Sequence, residues 1–204
     1  MKVAIIGIQG SGKGTQAAML AKATGWQHIS TGDVLRDEIS RETALGKKLA
    51  HFLDKGDLAP DHVVFSLMLP YLHKRHFILD GYPRSMAQVI PLDKEVILDK
   101  VVVLTMPDNE VYRRLGARRQ CKQCHEIYGL NRQPSKAGAC DECGGKLFKR
   151  DDDKPEAIEE RLKIFHTETM QVIRHYKKKG IATEIDAARP VEDVFADIRK
   201  LFKV

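Results

Sequence analysis

Short runs read as strands recur at residues 3–8, 27–30, 77–80, 101–106 and 182–186; those at 3–8, 77–80 and 101–106 are rich in Val, Ile and Leu, 27–30 and 182–186 are more polar, and none alternates cleanly. Unbroken runs of this kind suit strands buried on both faces, so they predict a five-stranded parallel α/β sheet flanked by helices. The stretches between them carry helical spacing instead. Val63/Val64, Leu67/Met68 and Tyr71/Leu72 repeat every three to four positions, as do Ile158, Leu162, Phe165, Val172/Ile173 and Tyr176 after Pro155. A last stripe, Val194/Phe195, Ile198 and Leu201/Phe202, follows Pro190, a residue suited to a helix start. These stripes read as core. The run Lys177-Lys178-Lys179 before Gly180 reads as a solvated helix C-terminus.

Residues 120–149 break the pattern: Gly, Lys, Gln and paired Cys crowd in, and the apolar supply shrinks to Ile127, Tyr128, Leu130, Leu147 and Phe148. A segment of about 30 residues buries too little surface to fold unaided. Cys121-x-x-Cys124 and Cys140-x-x-Cys143 provide the staple: two such pairs have the spacing that presents four thiolates to one tetrahedral Zn²⁺. Four thiolates leave no open position, so the zinc is expected to be structural, and His125 beside Cys124 is expected at the surface. His73 and His76 are likewise read as a solvated turn. The chain of 204 residues, 43% hydrophobic and 30% charged, can bury a core, which excludes whole-chain disorder. Its longest early apolar run, Val3 to Ile8, is too short for a signal or membrane segment, so a cytoplasmic location with reduced thiols and no membrane partner is expected. The formal charge of +6 leans toward phosphate-bearing partners, and a zinc-thiolate cluster lowers it only to about +4.

The first strand runs directly into Gly7-Ile8-Gln9-Gly10-Ser11-Gly12-Lys13-Gly14-Thr15, followed by a helical stretch that Gly25 stops. Strand, glycine loop and helix are the context a phosphate cradle needs: Gly10, Ser11, Gly12, Gly14 and Thr15 bring backbone N–H groups to phosphate oxygens, and Lys13 supplies a point charge. A hydroxyl residue normally follows the lysine at once; here Gly14 intervenes before Thr15. Phe77-Ile78-Leu79-Asp80 is a strand ending in an acid, a place from which a carboxylate can hold Mg²⁺ waters.

With Ser30-Thr31-Gly32-Asp33-Val34-Leu35-Arg36 and Gly81-Tyr82-Pro83-Arg84-Ser85-Met86-Ala87-Gln88, the whole chain resembles the nucleoside monophosphate kinases, specifically adenylate kinases of the long-lid, zinc-bearing type. The resemblance implies a core P-loop domain at 1–29, 60–116 and 154–204, a mobile monophosphate-binding insertion at 30–59, and a zinc-ribbon-like lid at 117–153. It implies reversible transfer from Mg-ATP to AMP, giving two ADP. By resemblance, Thr31, Arg36, Gly81, Arg84 and Gln88 bind AMP, and Leu53 and Ala59, in the stretch Leu53 to Ala59 that includes Gly56, line the acceptor base pocket. Arg114, Arg118, Arg150 and Arg161 close over the phosphates, Arg150 and Arg161 reaching AMP as well, while Arg189 meets the donor adenine through its backbone. Asp33 and Asp80 stand near the Mg²⁺ waters, and Lys13, Arg84, Arg118, Arg150 and Arg161 form the catalytic set. Gln9 stands where the family usually has Pro, Ala117 where it usually has Gly, and Ala59 where Val is commoner.

Phosphoryl transfer is a matter of aligning two phosphates and neutralising spreading charge, and a monophosphate with a second pKa of about 6 needs no general base at neutral pH. An arginine-rich complement fits that demand. Arg114 and Arg118, spaced i,i+4, are expected on one face of the helix after Pro107-Asp108. Two rivals remain open at this level: a kinase for UMP or CMP, and a zinc-ribbon nucleic-acid-binding ATPase. The second would want aromatic stacking residues beside a basic face, and aromatic content is only 6%, so no nucleic-acid partner is expected; the chain is expected to be a monomer.

Overall fold

The computed structural model describes residues 1–55, 57–130 and 132–204, so Gly56 lies outside the described residues. Five parallel strands form the central sheet: β1 (Lys2–Gly7), β2 (Gln27–Ser30), β3 (Phe77–Asp80), β4 (Lys100–Thr105) and, last in the chain, β8 (Ala182–Asp186). Their order is β2-β3-β1-β4-β8, with β1 in the middle, paired to β3 on one side and β4 on the other. Every strand lies within one residue of its sequence expectation.

Alternate residues of the strands feed two cores. Ala4, Ile6, Phe77, Leu79, Val101 and Val103 face a larger cluster, which holds α4 (Asp61–Leu72) through Val64, Met68 and Leu72. The same cluster receives α5 (Met86–Glu95) through Val89 and Leu92, and the long helical segment after Pro155. Val3, Ile5, Ile78, Val102 and Leu104 face the opposite side, where α1 (Lys13–Thr24) and α9 (Val191–Phe202) pack. Burial on both faces is why β1, β3 and β4 lack alternation, whereas the edge strands β2 and β8 are largely half-buried or exposed. Gly25, at φ 72, caps α1, and Pro190 caps α9 at its N-terminus.

Between β2 and α4 come α2 (Thr31–Ser40) and α3 (Ala44–Lys55), packed together closely enough that a Cβ on Gly46 would stand 2.5 Å from the Glu38 carbonyl oxygen. After α6 (Asp108–Ala117), the short strands β5 (Arg119–Cys121), β6 (Ile127–Tyr128) and β7 (Leu147–Phe148) make an antiparallel sheet in the order β6-β5-β7. Its buried apolar cluster, among the described residues, is Cys121, Tyr128, Cys140 and Leu147. Leu130, counted above among that segment's apolar supply, is 39% exposed.

The segment after Pro155 is not one regular helix. α7 (Pro155–Ile164) passes through a π-helical turn at Phe165–Thr169 before α8 (Met170–Lys178). The lysine run is exposed at the C-terminal end of α8, as expected, and makes two surface ion pairs: Lys179 Nζ lies 2.5 Å from Asp93 Oδ2, and Lys177 pairs with Glu184 at 2.7 Å. No helix among the described residues is long and apolar enough to cross a membrane.

Candidate active site

The glycine loop connects β1 to α1. Gly7 sits at φ 144, and a Cβ there would stand 2.1 Å from the Leu104 carbonyl oxygen, so the turn out of the sheet admits no side chain. Lys13 opens α1, and its Nζ donates to the carbonyls of Gly7 at 3.0 Å and Ile8 at 2.8 Å. Its ammonium is thus curled inside the loop, and burial together with the Arg84 guanidinium pushes its pKa down to about 7. Ser11 is buried with an unpartnered Oγ, while Thr15 is exposed.

Arg84 comes from the loop after β3. Its Nε donates to the Gly81 carbonyl at 2.8 Å, and its backbone N–H donates to Gln88 Oε1 at 2.8 Å. The π-helical turn adds a third tie, because Thr169 Oγ1 donates to the Arg84 carbonyl at 2.9 Å. Irregular turns of this kind are often retained where a side chain must be aimed. Lys13, Arg84 and Arg161, the last from α7, line one cavity at the end of β1 together with Gln9, Gly81 and Phe165.

Around that cavity the cations are tethered. Arg161 Nη1 donates to Asp152 Oδ2 at 2.9 Å, and Arg118 grips the fully buried Asp153 with Nε at 2.8 Å and Nη2 at 2.5 Å. Arg150 Nε donates to Gln120 Oε1 at 2.7 Å. Arg36 Nη2 donates to Asp33 Oδ1 at 2.6 Å, and its Nε is buried without a partner. Burial, with the neighbouring guanidinium of Arg161, pushes Arg84 down to about 10; burial with Arg118 and Arg36 pushes Arg150 down to about 9. Guanidiniums stay charged at neutral pH, so these shifts reflect first the burial of the two groups and then the like charges beside them. For Asp152, burial disfavours the charge but Arg161, Arg118 and Arg150 outweigh it and hold the carboxyl below its ordinary range. The same balance, with Arg36 as the main counterweight, holds Asp33 low.

The structure corrects one geometric expectation. α6 ends at Ala117, and Arg118 is extended at φ −64 and ψ 137, so Arg114 and Arg118 do not share a helical face. Arg118 turns inward to Asp153, while Arg114 stays with Glu110 at 2.7 Å and the Ala188 carbonyl at 3.0 Å, one residue before Arg189. Arg189 itself pairs with Asp197 at 2.7 Å. Ala117 is helical, so its position asks for no glycine. Thr31 is buried at the start of α2, Leu53 half-buried on α3, and Ala59 and Gln88 buried beside α4 and on α5. Asp33 is engaged by Arg36, whereas Asp80 Oδ2 lies 3.3 Å from His28 Nε2 and 3.2 Å from where a Gly14 Cβ would stand, facing the start of α1.

Sequence reasoning missed the acids that hold the arginines, Asp152 and Asp153, although three consecutive Asp residues after Arg150 were a visible signal. It also missed Gln120, Thr169 and His28, whose partners lie far away along the chain. In the small sheet the four cysteine sulfurs lie within 4.8 Å of one another, with Cys121 Sγ 3.4 Å from Cys143 and Cys124 Sγ 3.5 Å from Cys140. All four are free thiols. His125 is exposed, 4.0 Å from Asp37 on α2, and His73 and His76 are exposed as expected.

The family model for adenylate kinase matches residues 5–181. An adenylate kinase of Methanothrix thermoacetophila is 41% identical over 211 residues, covering 98% of each chain. Those of Caldicellulosiruptor bescii (40% over 213 residues, 98% of each chain) and Archaeoglobus fulgidus (39% over 213 residues, all of this chain and 98% of the relative) are similar throughout. With a match spanning most of its length and relatives of this identity end to end, the chain belongs to the adenylate kinase family.

Proposed function

We infer that this cleft carries out the reversible reaction ATP + AMP = 2 ADP, with Mg²⁺ accompanying ATP, and that the cations around the glycine loop do the catalytic work. The observation that carries the reading is the convergence of Lys13, Arg84 and Arg161 on one cavity at the end of β1. An AMP phosphate oxygen attacks the γ-phosphorus in line; its new P–O bond forms as the bond to the β,γ-bridging oxygen breaks, and ADP leaves. Gly10, Ser11, Gly12, Lys13, Gly14 and Thr15 hold the donor phosphates, with Arg114, Arg118 and Arg189 on the donor side. Thr31, Arg36, Leu53, Ala59, Gly81 and Gln88 hold the acceptor, and Arg84, Arg150 and Arg161 neutralise the transferring group. The crowding of these cations supports the assignment, since anionic ligands are what relieve it. Asp80, facing Gly14, has the position to accept from a water of the Mg²⁺ that arrives with ATP.

The four thiols fit zinc: tetrahedral Zn–S bonds of about 2.3 Å set the sulfurs roughly 3.8 Å apart, comparable with the spacing here. Cys121, Cys124, Cys140 and Cys143 would hold the ion, which supplies fold stability to a sheet with a thin core. A reducing compartment suits such thiols. We take residues 117–153 as a lid and 30–59 as a monophosphate-binding insertion that close on each other, excluding water as the competing acceptor. Support comes from the Asp37–His125 approach, in which the two segments come within 4.0 Å of each other. A single chain carries both nucleotide sites, so a monomer is the working unit. Offering Mg-ATP with AMP, CMP, UMP and GMP separately, and identifying the diphosphates formed, tests the reading: ADP from AMP is expected, and a preference for CMP or UMP would overturn it.

A further inference from the structure

Gln9 lies within the glycine loop and is only 7% exposed. Its side-chain Nε2 is buried and has no hydrogen-bond partner. It lines the same cavity as Lys13, Arg84 and Arg161. A primary amide nitrogen carries two donors, and leaving them unmet in a buried place is unfavourable enough that native structures seldom do so without a reason.

The surroundings offer Gln9 cations and acceptors already engaged. Lys13 holds the Gly7 and Ile8 carbonyls, Arg84 Nε holds the Gly81 carbonyl, and the Thr169 hydroxyl holds the Arg84 carbonyl. None of these groups meets the Gln9 amide in this arrangement, and the anion this cation-lined cavity suits is a phosphoryl group. Other buried unpartnered atoms belong to Ser11, Thr31 and Arg36, positions already assigned to nucleotide, or to Gln16, which points to the Val191 carbonyl instead.

We propose that the Gln9 side-chain amide donates a hydrogen bond to the phosphoryl group in transfer, as an uncharged donor beside Lys13, Arg84 and Arg161. The proposal rests on the adenylate kinase reading. An amide has a specific advantage here, because it adds a directed donor without adding a like charge to an already crowded cluster. Removing one donor to a charged acceptor in a water-poor site lowers rate by roughly 10- to 100-fold.

The test compares wild type with Gln9→Leu, which keeps the volume and removes the donor, and with Gln9→Glu. Wild type is assayed first on Mg-ATP and AMP; absence of ADP formation there would overturn the adenylate kinase reading itself. Given an active wild type, Gln9→Leu is expected to lose kcat by roughly 10- to 100-fold while both KM values stay within about twofold. The melting temperature of the ligand-free variant is expected to hold or rise, because an unmet buried donor has gone. Gln9→Glu is expected to be slower still, its carboxylate opposing the phosphates. Unchanged kcat in Gln9→Leu, or a loss of kcat matched by a fall in melting temperature, overturns the proposal. So does Gln9→Glu outperforming Gln9→Leu, which would show that the carbonyl end serves the cations. Gln9→Met gives the same split of kcat from KM should Leu not be tolerated.

Discussion

Lys13 offers a quantitative test of the crowded cleft. Its ammonium is buried among Arg84, Arg161 and Arg118, with Asp80 as the opposing charge, and its pKa falls from 10.5 to about 7. Phosphate oxygens packed against the same nitrogen reverse both causes and return the lysine toward its ordinary value. At pH 8 the free protein carries this proton on only about a tenth of its molecules, so binding MgATP should take up about 0.9 proton, against about 0.1 at pH 6. Affinity for MgATP should correspondingly fall by about tenfold per pH unit above 7. The sign for folding is the opposite: the unfolded lysine holds its proton up to 10.5 while the folded one releases it near 7, so this group makes the ligand-free fold more stable as pH rises between those values. Isothermal titration calorimetry in buffers of different ionisation enthalpy measures the proton count, with Lys13→Met as the control that abolishes it. Uptake of no proton at pH 8, together with a pH-independent affinity between 7 and 9, would refute the argument from burial.

Arg84→Ala should lower kcat by roughly 10²- to 10³-fold with MgATP binding little changed, measured by steady-state kinetics and titration; unaltered turnover would reject its place beside the transferring group. Asp153→Ala strands the Arg118 guanidinium in a place where Asp153 is fully buried, a loss of about 3–5 kcal/mol that should lower the melting temperature by roughly 6–20 °C. A calorimetric midpoint within a few degrees of wild type would show that water reaches the pair. Treatment with a strong chelator, or Cys143→Ser, should open residues 121–147 to proteolysis while the circular dichroism of the parallel sheet persists; simultaneous loss of both would contradict a small sheet stapled independently of the core.

What could be read from the sequence, and what could not, separates along one physical line. The strands, the glycine loop and the cysteine quartet are encoded by neighbours in the chain: a run such as Phe77–Asp80 is apolar because helices cover both its faces, and Gly7 is glycine because the Leu104 carbonyl occupies the space of a side chain. The cations were visible as residues but not as an arrangement, because an arginine's role depends on partners that spacing does not name. Arg114 and Arg118 have the spacing of one helical face, yet α6 stops between them, and the buried Asp153, 35 residues on, draws Arg118 inward while Glu110 keeps Arg114. The π-helical turn was equally hidden: Ile158, Leu162, Phe165, Thr169, Val172 and Tyr176 keep ordinary helical intervals, so nothing in the stripe reveals that Thr169 is tied to the Arg84 carbonyl. Lys179 is exposed as its place at a helix C-terminus predicts, but its pairing with Asp93, 86 residues away, could not be read from the run. These long-range pairings also give the cleft its chemistry. Asp33, Asp152 and Asp153 each engage an arginine through hydrogen bonds, whereas among the described residues the side chains of Lys13 and Arg84 donate only to neutral carbonyls. Positive charge is therefore left facing the cavity where the two nucleotides' phosphates must meet, and the folded chain is electrostatically complete only with them in place.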